Sequence, residues 1–384
     1  MELSPRQAAE AANSTYALRL SADMLNAAVG APAIRDSFDI MGGSRLHGTS
    51  GMGPVSRQTG FGYVAQGTGP RAGEVLIAIR GTEKTSAHDW MTNMRISGTS
   101  GPSGHTVHAG FWMLASGLLS QVNDLLGNSN PSQIHVAGHS LGGATATLLA
   151  EAMNLRTGHK NVKLYTFGAP RAGVGRHASH VTDALGRSNI YRVYHHTDPV
   201  PMIPVFPFSH VPYEQPAYRM QGPGTLVSVA AHAMDPAYYR SVGGGSWGGL
   251  RVIGDPTLQS FDAAQQWLEQ SGSAGGSMLS ASLLRMIMSA LGWILRQVGK
   301  IVGLAVMGGA TIIDYIAQLL YSGVLASLEI GVMVGQLIAA IMRFTGRTVV
   351  QGTTMTVAFF QYVLSMLFRT ISTIASRAMG VLPG

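Results

Sequence analysis

Residues 134–150 read IHVAGHSLGGATATLLA, and this stretch decides the fold. Ile134-His135-Val136-Ala137 favours a strand, and Leu141 opens a run of strong helix formers. Between them Gly138-His139-Ser140-Leu141-Gly142 has the form G-x-S-x-G, a tight strand-to-helix turn that presents a serine hydroxyl. Acyl transfer needs such a hydroxyl, with a base beside it and backbone N–H groups ready for an oxyanion. Gly142, Gly143, Ala144 and Ala146 keep one helix face small enough to lie close on a sheet. In a chain with 49 glycines the pattern alone is weak, and Gly244-Gly245-Ser246-Trp247-Gly248 repeats it. That copy has no strand before it and no helix after it. Ser140 is therefore the candidate nucleophile, and Ser246 a turn.

Outward from this point, apolar runs alternate with helical stretches. FGYVAQ (61–66) and EVLIAI (74–79) read as strands, and VHAGFWMLASGLLSQVNDLL (107–126) as a helix. VKLYTFGAP (162–170) and IYRVYHH (190–196) read as buried strands ending in turns. TLVSVAAHA (225–233) follows as the expected last strand, then a short helix led by Asp235-Pro236, and TLQSFDAAQQWLE (257–269) as a helix. The order predicts an α/β fold with a mostly parallel central sheet covered on both faces. Ser4-Pro5 starts a helix expected over 4–29, and 41–58 reads as loop. SGSAGGS (271–277) is nearly all Gly and Ser and reads as a linker. It divides the chain into an α/β domain over 1–270 and an apolar helical region over 278–384.

The nucleophile segment resembles that of the class 3 (fungal-type) lipases, which are α/β-hydrolases. Further segments match in the family's order. They are LIAIRGT (76–82), DWMTNM (89–94), VHAGF (107–111), FGAPR (167–171) and HTDPVP (196–201). The likeness spans roughly residues 60–240. It implies a serine lipase or phospholipase without cofactor or metal.

Asp198 is the candidate acid, just past a strand, where a carboxylate at the sheet's C-terminal edge can orient an imidazole. Nucleophile, acid and histidine follow in that order in α/β-hydrolases, and only His210 and His232 come after Asp198. His232 is preferred as base, because it sits in a loop after the expected last strand. His210, among prolines, reads as pocket wall. The resemblance gives Leu141 and Thr82 as oxyanion donors and places a short lid from Glu83 to about Met94, including Trp90.

The chain has no cysteine, which excludes a disulfide scaffold, a thiolate metal site and a thiol nucleophile. Apolar residues make up 46% and charged residues 12%, which excludes global disorder. The net charge of +7 is not a nucleic-acid signature. Seven basic residues and only two acids lie from Met278 onward, inside an apolar segment. At 100° per residue Arg285, Arg296, Lys300, Asp314, Glu329, Arg343 and Arg347 fall within an arc of about 80°. Helices with a narrow polar stripe and a wide apolar face suit a bilayer surface. The alternative is a bundle packed on itself or on the hydrolase. The expected partner is a lipid membrane rather than nucleic acid, and an apolar tail makes a chaperone, adaptor or immunity protein a candidate cover. The start of the chain reads as no ordinary signal peptide. A membrane-associated protein exported by another route follows as the expectation, with bacterial type VI lipase effectors as one such setting.

Overall fold

The structure, a computed structural model, describes residues 1–19, 32–50, 57–81, 98–158, 161–222, 224–253, 261–273, 279–302, 311–348 and 354–379. Eight strands form the main sheet in chain order from edge to edge. They are β1 (Phe38–Ser50), β2 (Arg57–Gly67), β3 (Glu74–Ile79), β4 (Gln133–His139), β5 (Val162–Phe167), β6 (Ile190–His195), β7 (Ala217–Met220) and β8 (Val252–Ile253). β1 to β3 pair antiparallel, β3 to β7 parallel, and β8 closes the far edge antiparallel. β3, β4 and β6 are buried along their whole length, as parallel strands covered on both faces must be.

One face carries α2 (Ala109–Leu126), α3 (Leu141–Arg156) and α4 (Gly175–Leu185). There Phe111, Leu118, Leu148 and Val181 share a core with Ile77, Val136 and Leu164. The other face carries α1 (Pro5–Ser14), whose Ala8, Ala9 and Ala12 pack with Leu76, Ala137 and Phe167. Ser4 and Gln7 cap α1 reciprocally, and Pro5 starts its first turn. The helix ends at Ser14 and tightens to a 3₁₀ turn through Arg19; the rest of the expected span, residues 20–29, lies outside the described residues.

Two expectations are corrected. Residues 41–50, expected as loop, lie in β1; its register slips between Ile40 and Arg45, so the Gly42-Gly43 pair falls in a bulge. Residues 225–231 are not a strand, because the shorter β7 takes the place beside β6. Their N–H groups go elsewhere, Val227 to the Leu279 carbonyl and Ser228 to the Thr197 carbonyl.

The C-terminal region consists of α5 (Phe261–Ser273), α6 (Ala281–Val302), α7 (Ile312–Ala326), α8 (Leu328–Phe344) and α9 (Val357–Ala378). α5 continues into the expected linker, as Ala264 and Leu268 are buried in the core of the helices that follow. Ser and Thr caps fix the starts of the later helices: Thr311 with Asp314 before α7, Ser327 before α8 and Thr356 before α9. Leu291, Ile294, Leu320, Leu337, Phe360 and Leu364 make one apolar core, and Val200, Met202, Ile203 and Val205 of the hydrolase belong to it. A fully buried side chain of this kind stabilises by about 1.5–3 kcal/mol. The helices thus close on one another and on the loop after β6. Three of the charged positions are engaged within the protein. Arg285 donates to the His195 and His196 carbonyls, Asp314 caps α7 and bonds Gln361, and Arg347 donates to the Tyr362 hydroxyl.

Candidate active site

β4 ends at His139 and α3 begins at Leu141, so Ser140 alone makes the turn. Its φ of 57° and ψ of −133° are strained for a residue with a side chain. Hydrogen bonds impose this: the Ser140 N–H donates to the Phe167 carbonyl, and the Gly143 N–H donates to the Ser140 carbonyl. Close packing requires the flanking glycines. A Cβ on Gly138 would stand 2.3 Å from the Gly142 carbonyl oxygen, and one on Gly142 would stand 2.5 Å from the Ile79 and Arg80 carbonyl oxygens. The Leu141 N–H is the first of α3, where helix N–H groups have no partner within the helix. Ser246 is exposed ahead of a 3₁₀ turn, with no elbow.

The structure brings Ser140, His232 and Asp198 together from three separate segments. His232 Nε2 lies 2.8 Å from Ser140 Oγ, and His232 Nδ1 lies 2.9 Å from Asp198 Oδ2. Ser140 is 5% exposed, His232 2% and Asp198 0%. His232 sits on a short 3₁₀ turn, Ala230–His232, rather than after a strand. A buried carboxylate needs compensation, and Asp198 has it. Oδ1 accepts from the Val200 N–H at 2.9 Å, and Oδ2 also accepts from the Tyr238 hydroxyl at 2.6 Å. Burial alone would raise this carboxyl; the His232 ring, the Tyr238 hydroxyl and the Val200 N–H outweigh it and hold it below the usual range.

Two aromatic side chains support the cluster, and neither had a role assigned from the sequence. Tyr238 accepts from the His195 N–H at 3.1 Å while it donates to Asp198, tying the acid to the end of β6. Tyr16, from the N-terminal 3₁₀ turn, lies 2.5 Å from His139 Nδ1, and His139 Nε2 lies 2.8 Å from the His232 carbonyl oxygen. Burial pushes the His139 ring down to about 3, so it is neutral. Its single proton must sit on Nε2 to meet the carbonyl, leaving Nδ1 to accept from the phenol. His139 therefore fixes the backbone of His232. The Tyr-Tyr pair at 238–239 was the one available signal; nothing in the local sequence connects Tyr16 to a residue so distant. Thr82, Trp90 and the lid expected around them lie outside the described residues. His210 lines a cavity away from the three-residue cluster. Among the described residues no group of His, Cys, Asp and Glu is arranged to hold a metal ion.

The layered sheet and the serine at its strand-to-helix elbow define an α/β-hydrolase. Residues 76–208 match the family model described as lipase (class 3), so that stretch of the chain is similar to the class 3 lipases. Over 177 residues the chain is 34% identical to secreted mono- and diacylglycerol lipase 1 of Fusarium solani, a span of 44% of this chain and 50% of that protein. Over 101 residues it is 34% identical to toxin TseL of Vibrio cholerae, 26% of this chain and 15% of the toxin. The chain thus spans about half the length of the first of these relatives and a small part of the second. The crystal structure of mono- and diacylglycerol lipase from Aspergillus oryzae superposes with a TM-score of 0.42 at 24% identity, covering 65% of this chain and 84% of that one.

Proposed function

We infer that the chain is a serine hydrolase of acyl esters in membrane glycerolipids, with Ser140 as nucleophile, His232 as general base and Asp198 as the acid that orients it. The observation that carries this reading is the 2.8 Å contact between Ser140 Oγ and His232 Nε2, backed by a buried carboxylate on the other ring nitrogen. Ser140 Oγ attacks the ester carbonyl carbon while its proton passes to His232 Nε2. The carbonyl oxygen becomes an oxyanion, for which the Leu141 N–H and Thr82 are the proposed donors; losing one such donor costs about 3 kcal/mol. His232 then returns the proton to the departing alcohol, and water frees the acid by the same route. Asp198, ionised and buried, stabilises the transient imidazolium.

The substrate class rests on the relatives and on the C-terminal region. The Fusarium relative is named for mono- and diacylglycerols, and the lipase family match extends this chemistry to acyl esters here. Leu325 and Leu328, at the α7–α8 corner, are 70% and 87% exposed, and Val332 is exposed beside them. An apolar tip of this kind supports docking on a lipid surface. α9 is long and apolar enough to cross a membrane, though much of it is buried in the helical core. The likeness to a Vibrio toxin supports an effector role, with an immunity or adaptor protein as partner.

A second reading makes the exposed tip itself the damaging element, with the hydrolase secondary. Lipid products analysed by mass spectrometry separate the two. Wild type should release fatty acid and lysophospholipid or monoacylglycerol from mixed vesicles, and Ser140→Ala should leave the lipids intact. Leakage that persists in Ser140→Ala with intact lipid would favour the second reading. A chain ending at Gln270 that hydrolyses soluble esters but spares vesicles would support membrane docking by the helices.

A further inference from the structure

The acid and the base lie on loops that the start of the helical region holds. On the base side, the Val227 N–H donates to the Leu279 carbonyl at 2.9 Å, and the Ala281 N–H donates to the Thr225 carbonyl at 3.0 Å. Leu226 and Ser280 pair antiparallel between them. Leu279 keeps a left-handed φ of 62° there, a conformation unfavourable for a leucine that persists where its surroundings over-determine it. The laced segment runs on into the Ala230–His232 turn, against which α9 packs. On the acid side the hold is a side chain. Arg285, near the start of α6, donates through Nε to the His196 carbonyl at 2.8 Å and through Nη2 to the His195 carbonyl at 3.2 Å. The His195 carbonyl also accepts from the Asp198 N–H at 3.2 Å, closing the turn that presents the carboxylate. The His195 N–H donates to the Tyr238 hydroxyl, so this peptide strand is gripped from both sides. The Ser228 N–H donates to the Thr197 carbonyl at 2.9 Å and ties the two loops together.

Ser140 has its own support, since its elbow is bonded to the Phe167 carbonyl at the end of β5. His232 sits on a 3₁₀ turn and Asp198 in a loop after β6, so their placement depends on what grips those loops. A guanidinium that donates through two nitrogens fixes a plane as well as a distance. Misplacing a reacting group by about 1 Å can cost about 100-fold in rate. We propose that Arg285 is a positioning residue for the reaction: it holds the His195–Asp198 turn, and with Leu279–Ala281 it makes the start of α6 the element that sets acid and base against Ser140. The proposal rests on the triad reading above, and it adds that the helical region takes part in turnover of soluble esters as well as of lipids.

Steady-state kinetics of the full chain on a soluble short-chain ester test this, beside a thermal melt and with Ser140→Ala as the blank. Arg285→Met removes both donors, and Arg285→Lys keeps the charge but loses the fork. In Arg285→Met kcat should fall about tenfold or more while KM stays within about twofold, and Arg285→Lys should fall between it and wild type. A double variant separates positioning from mere support of the fold. Because Arg285 acts through Asp198, adding Arg285→Met to Asp198→Asn should lower the residual kcat by less than about twofold. A merely structural role would lower it as much as in the wild-type background. If Arg285→Met does not fold, Arg285→Lys takes its place in both backgrounds. Three results overturn the proposal: kcat unchanged in a folded Arg285 variant, a loss confined to KM, or an equal fold-loss in the two backgrounds. A kcat untouched by Asp198→Asn alone would instead sink the triad reading, which tells that failure apart from a failure of Arg285.

Discussion

In the hydrolase region the decisive side chains are polar, buried and mutually satisfied, whereas in the helical region they are apolar and interchangeable within a shared core. Ser140, His232, Asp198 and Tyr238 each have named partners at hydrogen-bond distance, so each position admits little else. Leu337, Phe360 and Leu364 only need to fill space beside one another and beside Val200 and Met202. The first region should thus fail in its chemistry when one atom changes, and the second in its stability when volume changes.

The largest expected effect is on the first side. In the proposed mechanism Asp198→Asn keeps the shape but forfeits the charge that would orient and stabilise the imidazolium, so kcat should drop by about 10⁴ with the fold retained. Steady-state kinetics on a soluble short-chain ester, beside a thermal melt, check both halves. A melt that collapses along with activity would blur the contrast.

How much of this contrast was readable beforehand follows the same division. Ser140 was legible because its elbow is a local pattern, and Asp198 and His232 because chain order and flanking residues narrow the choice. Tyr16 was not, since its contact joins segments that nothing local in the sequence connects, and Tyr238 showed only as part of the aromatic pair after His232. β1 was missed because Gly42-Gly43 reads as loop yet sits in a strand bulge. The helical character of the C-terminal region was evident from its apolar composition and the periodicity of its charges. Their shared core with Val200–Val205 was not, because an apolar helix face does not name what covers it.

The second region's character is probed by Phe360→Ala, which removes a fully buried ring from the helical core. It should cost about 3–5 kcal/mol of stability by denaturant titration, while turnover of a soluble ester by the folded fraction stays near wild type. A tenfold loss of turnover without loss of stability would mean that the helices shape the site directly.

The smallest effect sharpens the first region again. Tyr238→Phe removes one donor from the Asp198 carboxylate and should lower kcat about tenfold. Because Asp198 is held below its usual range in the folded chain, its contribution to stability is complete above the ordinary carboxylate range and is lost as pH falls through the lowered value. Removing the hydroxyl narrows that gap, so acid unfolding followed by fluorescence should begin at a higher pH than in wild type. An unchanged acid midpoint would show that the phenol does not hold the carboxylate down.

Covalent labelling reaches the chemistry with fewest assumptions. A p-nitrophenyl alkylphosphonate mimics the ester in transit and traps an activated serine, releasing nitrophenol as it does so. Wild type should release a single equivalent and carry the phosphonate on the peptide containing Ser140, while Ser140→Ala and Asp198→Asn should react not at all or far more slowly. A label on Ser246 or elsewhere, or undiminished ester hydrolysis by Ser140→Ala, would contradict the account.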